Sequence, residues 1–434
     1  MTEHKNKNNI LKKSIYKAIW LIVVLSFGIS SSWTITSMAT PNLMMVPAYT
    51  PPSEPTDIKL NQTLNQTLNQ TLNAPFGTQT PTLINSVQSP KNNTLNPELF
   101  INHIRNSVVP SGAISMYGHN PIPASRKIVP YWSNLAVCGL ATEIKFGTGN
   151  NKQELTQIAW NALNWYRLKQ RPNSGIVYDH IAFAGREVST GEMDSVDSYS
   201  ATFLMGLSCM QKATGDNTKI RGFLPAMRLA IKSIKDLQDK DGLTWAKPNF
   251  KIKYLMDNIE VINGLDEARK IFLSLREVGS YYTTTGIIQN IELGINTKMW
   301  SQARNSYRWA IAGDIGAETY YFTNWKTYYP DALENIWPTA FAVNQPRSRA
   351  NSVMTTFADN LPNYIDSGSI KGLWNPFVGL AYYNHGNVNL SKQSLEYGFQ
   401  MVNNDQMGGT YTTGHSGLFI NLYYKVNQGS SLIW

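Results

Sequence analysis

Residues 190–210 read Thr-Gly-Glu-Met-Asp-Ser-Val-Asp-Ser-Tyr-Ser-Ala-Thr-Phe-Leu-Met-Gly-Leu-Ser-Cys-Met. Asp194 and Asp197 stand three apart at the head of a segment that is apolar or small on almost every face. A helix without a polar face is buried on all sides, so carboxylates at its N-terminus sit where a buried element meets solvent. Two roles fit them. As caps, Asp194 would accept from the free backbone N–H groups of the first turn, and Asp197 would complement the helix dipole. As chemical groups, they would stand at the mouth of a site. The two roles are compatible.

The device recurs. Asp257-Asn-Ile-Glu260 opens the apolar run 259–264, and Asp331-Ala-Leu-Glu334 precedes 336–343. An aromatic-rich stretch comes before each pair: Tyr178 and Phe183, then Trp245, Phe250 and Tyr254, then 320–329 with Trp325 in its middle. Acid pairs beside flat apolar rings suit sugars, whose rings present C–H faces to stack and hydroxyls to hydrogen-bond.

From about residue 97 the chain alternates two kinds of helix. Nearly uniformly apolar segments with small residues occupy 133–146, 195–214, 258–278, 337–343, 375–384 and 412–426. Amphipathic segments occupy 152–169, 225–238, 285–300, 348–361 and 391–402, with 97–107 as a sixth. In 152–169, Leu155, Ile158, Ala159, Ala162, Leu163 and Tyr166 make one stripe, and Gln153, Gln157, Asn161 and Asn164 the other. Pro225 suits a first-turn position. Six helices needing burial all round and six needing one apolar stripe predict an all-α (α/α)6 toroid, six inner helices ringed by six outer ones. A small β insertion is expected near 307–322, with Gly-Asp-Ile-Gly at 313–316 as its turn. Pro338 would break a helix begun at Asp331, which places the start of the fourth inner helix near Trp337.

The formal charge is +9 over 434 residues, and five lysines against Glu3 carry +4 of it in the first 17 residues. The remainder is scattered without a basic run and does not argue for nucleic acid. Residues 1–39, lysines followed by the apolar run 18–29 and Ser37-Met38-Ala39, read as an export signal. Left uncleaved, the segment would instead anchor the protein to a membrane. Either way the body is expected outside the cytoplasm, periplasmic or secreted. Residues 40–96, with Asn-Gln-Thr-Leu three times at 61–72, read as a low-complexity linker too polar to offset its ordering entropy, and 97–434 as the toroid domain. Cys138 and Cys209 fall on inner helices and are either a disulfide or two buried thiols. The six histidines lack metal-ligand spacing, and no nucleophile elbow or phosphate loop is present, so neither metal nor cofactor is expected.

The alternation, with Asp-Ser-Val-Asp-Ser-Tyr-Ser-Ala-Thr-Phe-Leu at 194–204 and Leu-Met-Asp-Asn-Ile-Glu-Val at 255–261, resembles the six-hairpin glycosidase superfamily. Within it the sequence looks most like bacterial endoglucanases of glycoside hydrolase family eight and their exported relatives, from about residue 97 to the C-terminus. The resemblance implies an (α/α)6 fold and a polysaccharide or oligosaccharide substrate. In that family a Glu at the head of the first inner helix is the general acid. Here the matching stretch, Pro130-Tyr-Trp-Ser-Asn-Leu-Ala-Val, has no carboxylate, so the resemblance implies the fold and leaves the family's general acid without a counterpart at this position.

Carboxylate catalysis needs one protonated and one ionised group about 5–5.5 Å apart for retention or about 6.5–9.5 Å for inversion. Acids at i and i+3 share one helix face, so acid and base are expected from different hairpins, Asp194 or Asp197 facing Asp257 or Glu260. Substrate contacts are expected from Trp132, Trp245, Tyr254, Trp325 and Trp374 as platforms, with Asp331 as a polar contact. Tyr178, His180 and Arg186 would line the cleft too, and would supply base and uronate neutraliser if the protein were a polysaccharide lyase. A third reading is a non-catalytic carbohydrate-binding or polysaccharide-assembly protein.

Overall fold

The chain divides into two units, Met1–Ser89 and Pro90–Trp434. The computed structural model describes residues 95–117, 125–183, 185–362, 364, 375–403 and 411–433. The expected export segment, all but the end of the expected linker, and Trp374 lie outside the described residues.

Among the described residues there are twelve α-helices. The inner ones are α2 (Pro130–Phe146), α4 (Val196–Thr214), α6 (Leu255–Leu275), α8 (Leu333–Ala340), α10 (Asn375–Asn384) and α12 (Thr413–Gln428). The outer ones are α1 (Glu98–Arg105), α3 (Lys152–Lys169), α5 (Asn217–Leu237), α7 (Val278–Gly294), α9 (Arg347–Asn360) and α11 (Val388–Asn403). Each inner helix touches the next, and α12 returns to α2, closing the ring. Each outer helix backs its own inner partner, with α1 lying on α12. The fold is an (α/α)6 toroid.

Small residues bring the inner helices together. A Cβ built on Gly139 of α2 would lie 2.3 Å from the Cα of Gly417 on α12, and one on Gly264 of α6 would lie 2.4 Å from the carbonyl oxygen of Ala201 on α4. Backbones therefore touch where the sequence carries glycine or alanine, and the all-round apolarity follows from facing both the axis and the outer ring.

Two helices differ from the sequence expectation because of proline. Helix α5 starts eight residues before Pro225, which is interior to it. Asp216 caps the earlier start by accepting from the Lys219 N–H at 2.8 Å, and burial of Ile220, Phe223, Leu224 and Met227 offsets the one backbone bond that Pro225 cannot make. Helix α8 likewise begins at Leu333, after a π turn at Tyr328–Ala332, and carries Pro338 near its C-terminal end, where only two residues follow. Helix α7 begins seven residues earlier than expected, directly after the left-handed Arg276, and ends in a π turn, Ile295–Met299.

Two small sheets decorate the ends of the inner helices where the chain enters them. One is antiparallel β1 (Ser125–Ile128), β2 (His180–Phe183) and β3 (Arg186–Ser189), which the sequence pattern did not announce. The other joins β4 (Ile252–Tyr254), β5 (Trp300–Ser301), β6 (Ser306–Ala312) and β7 (Thr319–Phe322). The β6–β7 hairpin is the expected insertion, and it turns through Gly313 and Gly316, both at positive φ (92° and 93°). Among the described residues, no helix is long and apolar enough to cross a membrane.

Candidate active site

The N-termini of α2, α4, α6 and α8 bring together four buried carboxyls: Asp197 in the first turn of α4, Asp257 and Glu260 on α6, and Glu334 in the first turn of α8. Helix N-termini attract negative charge by about 0.3–1 kcal/mol, rising to about 2 kcal/mol when partly buried. Withdrawing a carboxylate from water costs several kcal/mol. Burial prevails here, and every one of the four is harder to ionise than in water.

Asp197 is held by three donors. Its Oδ1 accepts from Ser195 Oγ (2.7 Å) and the Ser198 N–H (2.9 Å), and its Oδ2 accepts from Thr244 Oγ1 (2.7 Å). Burial lifts it to about 6 against the pull of those bonds. Glu260 Oε1 accepts from the Tyr131 hydroxyl of α2 (2.7 Å) and from Trp337 Nε1 of α8 (3.1 Å), and burial lifts it to about 7. Burial pushes Asp257 well above the carboxylate range, reinforced by the charges of Asp197, Glu260, Glu334 and Asp194. Glu334 is raised well above its ordinary value by burial first, against the backbone N–H groups of Met256 and Leu255. Its Oε2 takes the Met256 N–H at 3.2 Å, so α8 caps α6, which has no side-chain cap of its own.

Ser195 Oγ lies 2.7 Å from Asp197 Oδ1 and 3.0 Å from Asp257 Oδ2. A hydroxyl has one proton to give. Both contacts are satisfied when Asp257 is protonated and donates to Ser195, which donates in turn to Asp197. The same two contacts laid end to end keep these oxygens closer than the roughly 6.5–9.5 Å of an inverting pair. Among the described residues, none of the four carboxyls forms an ion pair with Lys or Arg.

Asp194 stands apart, exposed on the loop before α4. The sequence reading of Asp194 as the α4 cap is corrected: the N-cap is Ser195, and no side chain caps there. Its loop is fixed from behind, with the Asp194 N–H donating to Tyr199 Oη (3.2 Å), Tyr199 donating to Asp179 Oδ1 (2.8 Å), and Lys127 of β1 paired to Asp179 at 3.1 Å. Lys247 Nζ donates to the Met193 carbonyl at 2.9 Å on the other side.

The structure brings some of the expected substrate residues to this mouth and gives others separate contacts. Trp132 packs between Tyr131 and His415 at 4.8 and 4.7 Å. Burial, and then the charge of His103, depress His415 to about 3. Tyr254, next to the cluster, is pushed up to about 12 by burial and then by Asp257, Glu334 and Asp194. Trp245 lies under the Lys253 ammonium at 4.2 Å, and Lys253 is itself buried between Asp239 and Asp241 at 2.6 and 2.8 Å. Tyr178 lies under the Arg171 guanidinium, His180 bonds the Tyr178 carbonyl through Nδ1 (2.9 Å) beside Trp165, and Arg186 is exposed at the start of β3. Trp325 is half-buried against the core. Asp331 Oδ1 accepts from the Asn324 N–H at 2.8 Å and staples its own loop. Cys138 and Cys209 are free, buried thiols in contact: a hydrogen bond from the Cys209 side, followed by burial, raises Cys138.

Sequence reasoning missed Tyr131, Tyr329 and Glu334. Tyr329, 42% exposed, overhangs the mouth, with its hydroxyl raised by desolvation and then by Glu334, Asp257 and Asp194. The signal for Glu334 was present in the repeated acid pair: the second member of each, Asp197, Glu260 and Glu334, is buried at the mouth, whereas the first members scatter.

No protein-family model and no curated protein matches the sequence. Solved structures do match over most of the chain. A GH63 mannosylglycerate hydrolase from Thermus thermophilus in complex with glucose is 10% identical, with a TM-score of 0.55 over 76% of this chain and 99% of that one. A D-mannose isomerase is 10% identical, with a TM-score of 0.52 over 77% of this chain and 96% of that one. A rhamnosidase from Klebsiella oxytoca with rhamnose bound is 10% identical, with a TM-score of 0.50 over 78% of this chain and 65% of that one. The shared feature is the fold, the six-hairpin, glycosidase-like (α/α)6 toroid.

Proposed function

We propose that the protein is a glycoside hydrolase, exported from the cytoplasm, that cuts a polysaccharide or oligosaccharide by carboxylate acid/base catalysis. The observation that carries this is the Asp257–Ser195–Asp197 contact set, a carboxyl held protonated beside a carboxyl held by three donors. Pairs of acids whose surroundings push their affinities for protons apart are the pattern of an acid and its ionised partner. Asp257, 6% exposed, is the general acid in this reading. Asp194, exposed at the rim and close enough for its charge to raise Asp257, activates the water. Burial first, and then the charge of Asp197, its ionised partner across Ser195, keep Asp257 protonated. The motifs at 194–204 and 255–261 support kinship with family-eight endoglucanases, with the acid moved from the first inner helix to the third.

A lyase needs a cation to neutralise the uronate carboxylate. The absence of Lys or Arg pairing with the cluster among the described residues weighs against that reading. A non-catalytic carbohydrate-binding protein is the reading favoured by the carboxylate-free head of α2. Reducing-sugar release from a polysaccharide panel decides between them. With Asp257→Asn and Asp194→Asn, turnover is expected to fall by about 10²–10⁴ each, with neither variant less stable than the wild type at neutral pH. Wild-type turnover in both variants would remove Asp257 and Asp194 from the mechanism.

A further inference from the structure

Strand β6 carries a β-bulge. Arg308 pairs with Phe322 and Ala310 with Tyr321, which leaves Trp309 as the extra residue. Strict alternation would place Trp309 on the face opposite Ala310. A bulge re-aims one side chain, and here the Trp309 ring joins Tyr254, whose strand partner is Ala310, and Tyr321, whose partner is Ala310 as well. The three rings make a row. Trp309 lies nearly parallel to Tyr254, with centroids 6.2 Å apart and planes at 15°, and meets Tyr321 at 5.0 Å and 45°.

The two faces of this sheet are finished differently. On one, guanidiniums cover the rings: Arg308 lies over Tyr320 at 4.7 Å, and Arg304 lies over Phe322 at 3.9 Å. On the other, among the described residues, no cation covers the row; Tyr254 and Trp309 are half-buried and Tyr321 is 38% exposed. The row runs straight into the carboxyl cluster, because Tyr254 is the residue before α6 and lies three positions ahead of Asp257.

We propose that Tyr254, Trp309 and Tyr321 form a stacking platform for successive uncharged sugar rings of a glycan chain that enters the carboxyl cluster. This rests on the reading of the cluster as a glycan-cleaving site. Sugars with equatorial hydroxyls expose the flat C–H faces such rings take. The chain is uncharged because the cations beside the row are already engaged: Lys251 with Asp314, Lys253 with Asp239 and Asp241, and Lys298 with Glu318. Among the described residues the mouth offers no cation to a uronate, and the exposed Asp194 at its rim, which forms no ion pair, repels one.

Calorimetric binding of β-1,4-linked hexamers of glucose, xylose and N-acetylglucosamine, and of hexagalacturonate, to the whole chain tests this, with product release measured on the same samples. At least one neutral hexamer is expected to bind, hexagalacturonate is not, and Trp309→Ala and Tyr321→Ala are each expected to weaken the hexamer about tenfold while leaving the disaccharide of the same sugar unchanged. Tyr321→Ala, on an exposed strand, keeps the test valid where Trp309→Ala unfolds the hairpin. Wild-type affinity in the variants, tighter binding of hexagalacturonate, or no neutral hexamer bound would overturn the platform. Cleavage with unaffected variants would sink the platform and spare the hydrolase. Weakened binding without cleavage in any protein would do the reverse.

Discussion

Glu260 offers a direct test of the electrostatics of the mouth. Its carboxyl titrates near 4.5 in an unfolded chain and at about 7 in the folded one, where burial outweighs the hydrogen bonds from Tyr131 and Trp337. A group whose folded value is raised contributes stability that is complete below the unfolded value and lost as the pH rises through the folded one. The window runs from 4.5 to about 7, and at about 1.36 kcal/mol per unit it is worth about 3 kcal/mol. Glu260→Gln removes the titration but keeps an Oε1 to accept from both donors. The variant should match the wild type at pH 4.5 and exceed it at pH 8.5 by up to about 3 kcal/mol, since the charge it removes also opposes ionisation of its neighbours. Urea unfolding at four pH values across this range measures the difference. A variant that tracks the wild type at every pH, or that is less stable at pH 8.5, would refute the claim that burial dominates the cluster.

Three further outcomes follow from particular contacts. Gly417→Ala forces a methyl into the backbone of α2, where the built Cβ meets the Leu135 carbonyl oxygen at 2.3 Å, and should cost about 1–3 kcal/mol or more; an unchanged melting curve would contradict the crossing. Tyr199→Phe removes the hydroxyl that joins the Asp194 backbone to Asp179, and should cost about 1.5–3 kcal/mol and lower kcat with little change in melting cooperativity; full activity would free the Asp194 loop from this support. Cys138 and Cys209 are buried free thiols, so a thiol reagent should label neither in the reduced native protein and both after unfolding, and rapid native labelling would show that α2 and α4 open.

The toroid was legible because its inner helices need a peculiar composition. Apolar runs broken only by Gly, Ala, Ser, Thr and Cys, as in Tyr199–Met210, cannot serve an ordinary surface helix. Helix limits failed where a single residue outvoted the pattern: Pro225 and Pro338 lie inside helices because burial around them outweighs one missing bond. Asp197, Asp257 and Glu260 were visible as acids at helix heads, yet which member of each pair turns inward depends on the helix's first residue. That offset made Asp331 look like a site residue and hid Glu334, although the two lie three apart. Trp309 was invisible for a different reason, because a bulge changes which face a residue occupies without changing the sequence pattern that suggests a strand.

The contact of Gly139 with Gly417 joins residues near opposite ends of the described toroid. Ring closure is therefore a late event during synthesis. Helices α2, α4 and α6 can pack one on another as they emerge, yet the flank of α2 that α12 covers stays open until Thr413–Gln428 has been made. Such contacts between distant residues are slow to form and leave apolar surface exposed meanwhile. Tyr131, the donor to Glu260, stands on that same waiting helix. His415 of the last helix packs on Trp132, the neighbour of Tyr131, so the helix that carries this donor is fully seated only when the last helix docks.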